Sequence, residues 1–354
     1  MIANPDNLKH HQVFNLIMSE FSNYEIGDKL PSERELAGRL SVNIATIRRA
    51  FREFVLSGIV EKRVGSGTYL MHLPQSSWRK RVINLLLSSK HISPFDEILE
   101  RIFVKTTQAM NRTGRVVWLN DENSTETLQA CMRFDQPTIV GCAIDPQKIT
   151  TRPELFVHLS SASCDYGIPS VRCDDVGIMN SLILHLRSQG CRKIALLCEE
   201  RIDTIQNLQQ TVWQGALGVD YNHELLIKAK ASTETVEEAS FESVNSAIKT
   251  INFDGLICLT DELMFGTLSA LHQNNFRIPD DVAVTSIGDT VLARFSNPPV
   301  TGINPNAKSH IISAIKLLDY NHEHQDKPEL LRLVKSELII RKSSMKGKSP
   351  GVIA

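Results

Sequence analysis

Beyond residue 80 the chain alternates short, nearly unbroken apolar runs with stretches of helical period. The runs are Val82–Leu87, Val116–Leu119, Pro137–Ala143, Ile194–Cys198, Leu256–Leu259 and Val282–Ile287. A strand buried on both faces reads as a continuous apolar run because neither side meets water. Strands separated by helices form parallel sheets, since a parallel pair needs a long crossover. Six such runs in a body spanning residues 81–341 imply two α/β lobes rather than one. The chain's 354 residues can bury such a core without a disulfide or metal staple. Hydrophobic residues make up 42% and charged residues 22%, which argues against wholesale disorder. No run approaches the roughly 18 apolar residues of a membrane span. Met1–His11 is polar, without an apolar signal core. Cys131, Cys142, Cys164, Cys173, Cys191, Cys198 and Cys258 are scattered without a C-x-x-C pair. They read as reduced thiols in a cytoplasm.

The first 72 residues have a different texture. Val13, Leu16, Ile17 and Phe21 form a helical stripe. Ser32 precedes Glu35 by three, a capping-box start for a helix through Leu40. Asn43 is a good N-cap for a third helix, which Gly58 can end. Ile59–Val64 and Thr68–Met71 read as two strands around Gly65-Ser66-Gly67. The predicted order is three helices and a two-stranded wing (residues 1–72), a linker (73–80), a body (81–341) and a flexible tail (342–354).

The whole chain has a net charge of −1, yet Arg34–Arg63 carries seven basic residues against three acidic ones. Basic charge gathered on one short module is the electrostatic footprint of phosphate binding. In a helix-turn-helix the N-terminal end of the last helix presents side chains to base edges in the major groove. Here that end is Asn43-Ile44-Ala45-Thr46-Ile47-Arg48-Arg49, with Thr46, Arg48 and Arg49 as candidate base or phosphate contacts. The tip Gly65-Ser66-Gly67, flanked by Lys62 and Arg63, lets backbone come close to a phosphate or the minor groove. The bland alternative is a helical docking module with a solvated Arg-rich face.

Four stretches in order, Leu30-Pro31-Ser32-Glu33-Arg34-Glu35-Leu36-Ala37, Val42–Ala50, Gly58-Ile59-Val60 and Gly65-Ser66-Gly67-Thr68, resemble the GntR-type winged helix. The resemblance implies that Arg34 contacts phosphate or base, that Asn43, Thr46 and Arg48 line DNA, and that Gly67 sits at the wing. The family commonly has arginine where this chain has Ile44, so a guanine-reading side chain is missing.

In the body, residues just after strands are the binding candidates, because ligands of open α/β sheets sit beyond the carboxyl ends of strands. These are Ser89–Phe95, Asn120–Asp121, Glu199–Glu200, Asp261–Glu262 and Gly288–Asp289. Each acid has an ordinary reading as a helix cap, and Phe95 as a core aromatic. The body resembles the LacI-type effector domain, a relative of periplasmic sugar-binding proteins. The resemblance rests on Ser93-Pro94-Phe95, on Val171–Gly177 leading into His185–Ala195, on Asp254–Asp261, on Ile278–Val284 and on Pro298–Thr301. It implies a periplasmic-binding-protein type I fold with two lobes joined by three crossovers. It further implies a homodimer and a small-molecule effector in the cleft, with Phe95, Asp261 and Gly288–Asp289 facing it; Asp121 joins them as an effector contact by its place after a strand. Two departures stand out. Gly288 replaces a usual aspartate, and the Thr204–Leu217 helix lacks a usual arginine.

No catalytic constellation can be assembled: there is no G-x-S-x-G, P-loop or H-E-x-x-H. Asp174-Asp175 and Asp280-Asp281 read as turn and cap residues, His10-His11 as solvated first-helix surface, and His322-x-His324 as part of a polar loop. No cofactor, metal or membrane partner is expected. The expected function is a DNA-binding transcriptional regulator, a repressor, binding a double-stranded operator under small-molecule control. The alternative is a soluble solute-binding or interaction protein without DNA-binding activity.

Overall fold

A computed structural model describes residues 13–14, 16–73, 82–90, 92–159, 163–200, 204–230 and 235–347. The expected linker Pro74–Ser77 and His10-His11 lie outside the described residues, as does most of the expected tail. Among the described residues no helix is long and apolar enough to cross a membrane.

The N-terminal head opens with α1, helical at residues 13–14 and 16–21. Helix α2 (Glu33–Leu40) starts with the predicted reciprocal capping box of Ser32 and Glu35. In α3 (Ile44–Leu56) the Asn43 side chain accepts from the Ala45 amide at 2.8 Å. Gly58 follows α3 at φ +71°, a conformation glycine adopts without strain. Strands β1 (Val60–Arg63) and β2 (Gly67–Leu70) pair antiparallel as the wing. Ile17, Phe21, Leu36, Ile47, Phe51, Phe54 and Leu70 fill the core of the head.

The body has two lobes. The N lobe contains β3 (Ile83–Ser88), α4 (Pro94–Ala109), β4 (Gly114–Leu119), α5 (Ser124–Arg133), β5 (Thr138–Val140), β6 (Phe156–Leu159) and β7 (Ser170–Cys173). The chain then crosses to the C lobe for α6 (Asp175–Ser188), β8 (Ile194–Glu199), α7 (Thr204–Leu217), β9 (Leu226–Ala229) and α8 (Val236–Ala247). That lobe continues through β10 (Gly255–Cys258), α9 (Asp261–Gln273), β11 (Ala283–Ile287), α10 (Val291–Phe295) and β12 (Thr301–Asn304). It returns for α11 (Ala307–Glu323) and β13 (Leu331–Val334), then crosses a third time to β14 (Glu337–Ile339). The sheets run β13-β7-β6-β5-β3-β4, all parallel, and β14-β12-β11-β10-β8-β9, parallel except at β14. Two lobes, three crossovers and parallel sheets are as expected.

Every predicted apolar run is a strand, but several strands escaped the pattern. Strands β6, β7, β9 and β12–β14 span three or four residues and carry polar side chains such as His158 and Arg172. His158 is buried, and its Nε2 lies 2.9 Å from the Cys142 carbonyl oxygen, so a polar residue sits in a core strand with a partner. The expected tail also begins too early. Ser343 and Ser344 are fully buried in the C lobe; Ser343 donates to the Val284 carbonyl and Ser344 meets Thr301 and His185. Hydroxyls that satisfy buried groups keep this segment ordered. His322 and His324, read as loop residues, lie at the end of α11.

Candidate functional site

The candidate DNA-binding surface comprises the first turns of α3, α2 and the wing. Leu36, Ile47, Ala50 and Phe51 point inward, which turns Arg34, Asn43, Arg48 and Arg49 to solvent, with Thr46 half-buried. The Arg48 side chain is 65% exposed, so it is not sequestered by the body. Glu33 on α2 accepts from Arg48 Nε at 3.2 Å and Lys62 Nζ at 2.7 Å, joining the helix-turn-helix to the wing. One carboxylate thus aims two cations at the same surface. At the wing, Arg63 pairs with Glu61 and lies 4.4 Å above the Tyr69 ring. Gly65 and Gly67 are exposed at positive φ. A Cβ at Gly67 would stand 2.6 Å from Lys29 Cε, so glycine lets a fourth cation reach the wing.

The effector candidates all fall after strands, at the carboxyl ends of the sheets, but their environments differ. Phe95 is half-buried and packs against the N-lobe core. Asp121 is 81% exposed and pairs with Lys90 at 2.7 Å. Asp261 is buried; its carboxylate accepts from Ser286 Oγ at 2.6 Å and the Thr290 amide at 2.8 Å. Asp289 is buried among Arg294, Arg341 and Asn304. Both acids are therefore used inside the C lobe, tying the loop after β11 to α9 and β12. Their carboxylates already have these partners inside the lobe.

A cluster that the sequence reading passed over sits at the first crossover. Asp174 does cap α6, accepting from the Gly177 amide at 3.1 Å, as read. Its neighbour Asp175 is buried instead, with Oδ1 accepting from Gln209 Nε2 of α7 at 2.9 Å. Arg172 Nε lies 3.8 Å from Asp175 Oδ2, beyond hydrogen-bond reach. Asp175 Oδ2, Arg172 Nε and Gln210 Oε1 are all buried without a hydrogen-bond partner. Unpartnered polar atoms in a buried site are costly. Here two of them, on Arg172 and Asp175, meet where the chain crosses between the lobes, and burial holds the Asp175 carboxyl above the usual carboxylate range. The acid–arginine–amide set can receive and give hydrogen bonds to a polar guest.

The gntR family of bacterial regulatory proteins matches residues 14–70. The periplasmic binding protein-like domain matches residues 183–344. This chain carries a GntR-type winged-helix domain ahead of a periplasmic binding protein-like body, the make-up of a transcriptional regulator. It is similar to the arabinose metabolism transcriptional repressor of Geobacillus stearothermophilus, at 22% identity over 90% of this chain and 92% of that protein. It is also similar to the transcriptional regulator GalR of Streptococcus thermophilus, at 23% identity over 56% of this chain, spanning 61% of that protein. Among solved structures, the glucose-bound LacI family regulator of Weissella paramesenteroides superposes with a TM-score of 0.64 at 20% identity. That match covers 76% of this chain and 100% of that one. The ribose-bound LacI family regulator of Enterococcus faecium gives 0.63 at 21% identity, over 76% and 100%. The DNA-binding reading prevails over that of a plain solute-binding protein.

The departure at Gly288 has a physical cause in this regulator. Gly288 adopts φ +148°, and a Cβ there would stand 2.6 Å from the Asp261 carboxyl. The Asp261 carboxylate fills the space where a side chain at 288 would begin. Gly288→Ala is expected to cost about 1–3 kcal/mol, from backbone strain and crowding of a bonded acid. The check is a thermal melt of the purified variant; an unchanged midpoint would mean that the loop gives way freely.

Proposed function

We propose that this regulator is a homodimeric repressor. Its two heads read half-sites of one operator, and its interlobe site takes a neutral polyhydroxylated molecule. The observation that carries the effector assignment is the pair of buried, unpartnered polar atoms on Arg172 and Asp175 at a lobe crossover, beside the Gln209 amide. A sugar supplies donors to the carboxylate and acceptors to the guanidinium without adding charge. The names of the relatives point the same way, one to arabinose metabolism, two structures to bound glucose and ribose. By the argument of linkage, the ligand acts only through unequal affinity for the two dimer arrangements. In this proposal Arg34, Asn43, Thr46, Arg48, Arg49, Arg63, Gly65 and Gly67 meet DNA, and Phe95 and Asp121 rim the effector opening.

The test is a thermal-shift screen with pentoses and hexoses on wild type and Asp175→Asn. A ligand at one hundred times its dissociation constant stabilises the native state by about 2.7 kcal/mol, which moves the midpoint by several degrees. At least one sugar should shift wild type and leave Asp175→Asn where it was. Equal shifts in both proteins would remove Asp175 from the site.

Without ligand, Asp175→Asn is expected to melt higher than wild type at neutral pH, the opposite of what loss of a structural acid does. The sign follows from the raised pKa. Between the unfolded and folded values the native state binds more protons, so wild-type stability falls as pH rises through that window. The variant escapes this penalty, and its advantage should shrink as the solution is acidified toward the unfolded carboxylate range.

A further inference from the structure

The C-terminal end of the DNA-recognition helix α3 does not face water; it is held by the N lobe. The last carbonyls of any helix lack intrahelical donors and carry partial negative charge. Here the body supplies the donors. Arg115 of the edge strand β4 donates through Nη1 to the Leu56 carbonyl and through Nη2 to the Val55 carbonyl at 3.2 Å. Gln136, which is 5% exposed, donates to the Ser57 carbonyl at 2.8 Å, while its own oxygen accepts from the buried Asn84 of β3 at 3.0 Å. Phe134, just after α5, joins the aromatic cluster of the head, with its ring 5.2 Å from Phe14 and 5.8 Å from Phe54. Arg133 pairs with Glu53 of α3, and Arg52 with Glu126 of α5 at 3.7 Å.

The two sides are shaped for each other. A Cβ at Gly58 would stand 2.8 Å from Arg115 Cδ, so the residue that ends α3 also has to admit the guanidinium. Burial lowers the Arg115 pKa. A buried guanidinium is tolerated only where acceptors replace water, and the acceptors named above belong to the head. Ser57 is likewise fully buried although it lies at a helix end, where exposure is the rule for a free domain. Inter-domain motion is the default for tethered domains unless the interface is apolar and well bonded, and this one has both an aromatic centre and buried polar bonds.

We propose that head and N lobe form one rigid body, so that rotation of the N lobe is delivered to the recognition helix through the Arg115–Gln136–Phe134 joint. The proposal rests on the regulator reading, but its test needs neither DNA nor effector. Nitroxide labels at Ser22→Cys on the head and Glu97→Cys on α4, with Cys142 and Cys164 replaced by serine, report the separation by double electron–electron resonance. Dilution of labelled into unlabelled protein keeps the measurement within one subunit. The expected result is a single narrow separation in the otherwise wild-type protein. It should spread into a broad distribution in Arg115→Ala/Gln136→Ala and, independently, in Phe134→Ser, whose change lies on the lobe surface and decides the matter if the double variant fails to fold. A broad distribution before either change, or a narrow one after both, overturns the joint. Such a failure would leave operator binding by the head untouched, which an anisotropy titration on the same samples shows separately.

Discussion

Replacing Arg34 and Arg48 together by alanine is expected to weaken DNA binding by about a hundredfold or more while leaving the thermal midpoint of the body unchanged. Each arginine that meets a base edge or phosphate contributes about 1–3 kcal/mol, and each subunit loses two. The structure makes the separation of effects possible. Both side chains project from surface positions of α2 and α3, while the head core is carried by Ile17, Phe21, Phe51 and Phe54. Arg48 is not needed to hold the fold; its Glu33 partner retains Lys62 at 2.7 Å. The measurement is fluorescence anisotropy on a duplex selected by the wild-type protein from a random pool, at several salt concentrations. Where a lost arginine touched phosphate, the slope of log affinity against log salt should fall by about one per contact. Unchanged affinity would remove the α2–α3 surface from the interface, and parallel loss of the head's melting transition would assign the arginines to stability instead.

How far the sequence could be read depended on how local each interaction is. The Ser32–Glu35 capping box, the Asn43 cap and the positive φ of Gly58 involve partners within a few residues, and all three were legible. The central strands were legible because burial on both faces leaves a continuous apolar run. Strand β7, Ser-Val-Arg-Cys, was not, because the half-buried Arg172 interrupts its apolar run. The rule that places ligands after strands picks out acids by position alone and says nothing of their partners. Asp261 and Asp289 are bonded within the C lobe, and the local context that says so comes from Ser286, Thr290, Arg294 and Arg341. Asp175 looked like a second cap residue beside Asp174. Its burial depends on Gln209, 34 positions away, and no spacing rule connects them. The joint between head and body is less legible still, since Arg115 and Gln136 find their carbonyls 59 and 79 positions earlier in the chain.

Phe265→Glu with Phe295→Glu is expected to convert the proposed dimer to monomer and to cost operator affinity about 10²- to 10⁴-fold, the gain that linking two binding modules typically brings. Phe295 is 83% exposed, Val291 57% and Phe265 44%, on α10 and the adjoining α9. Single exposed apolar residues need no explanation, but two exposed aromatics and a valine on helices that touch mark this face as the one to test for a covering partner. A second copy suits it, because a twofold interface uses the same patch twice and places two heads symmetrically on one operator. Burying each phenylalanine contributes about 1.5–3 kcal/mol, counted twice across the axis, and the substituted carboxylates would face one another. Both changes lie on the surface of the C lobe, far in sequence from α1–α3, so the head should melt as before. Sedimentation velocity reads the mass and anisotropy the affinity. A dimer that persists would place the interface elsewhere, and a monomer that binds DNA as tightly as wild type would mean that each head reads its site alone.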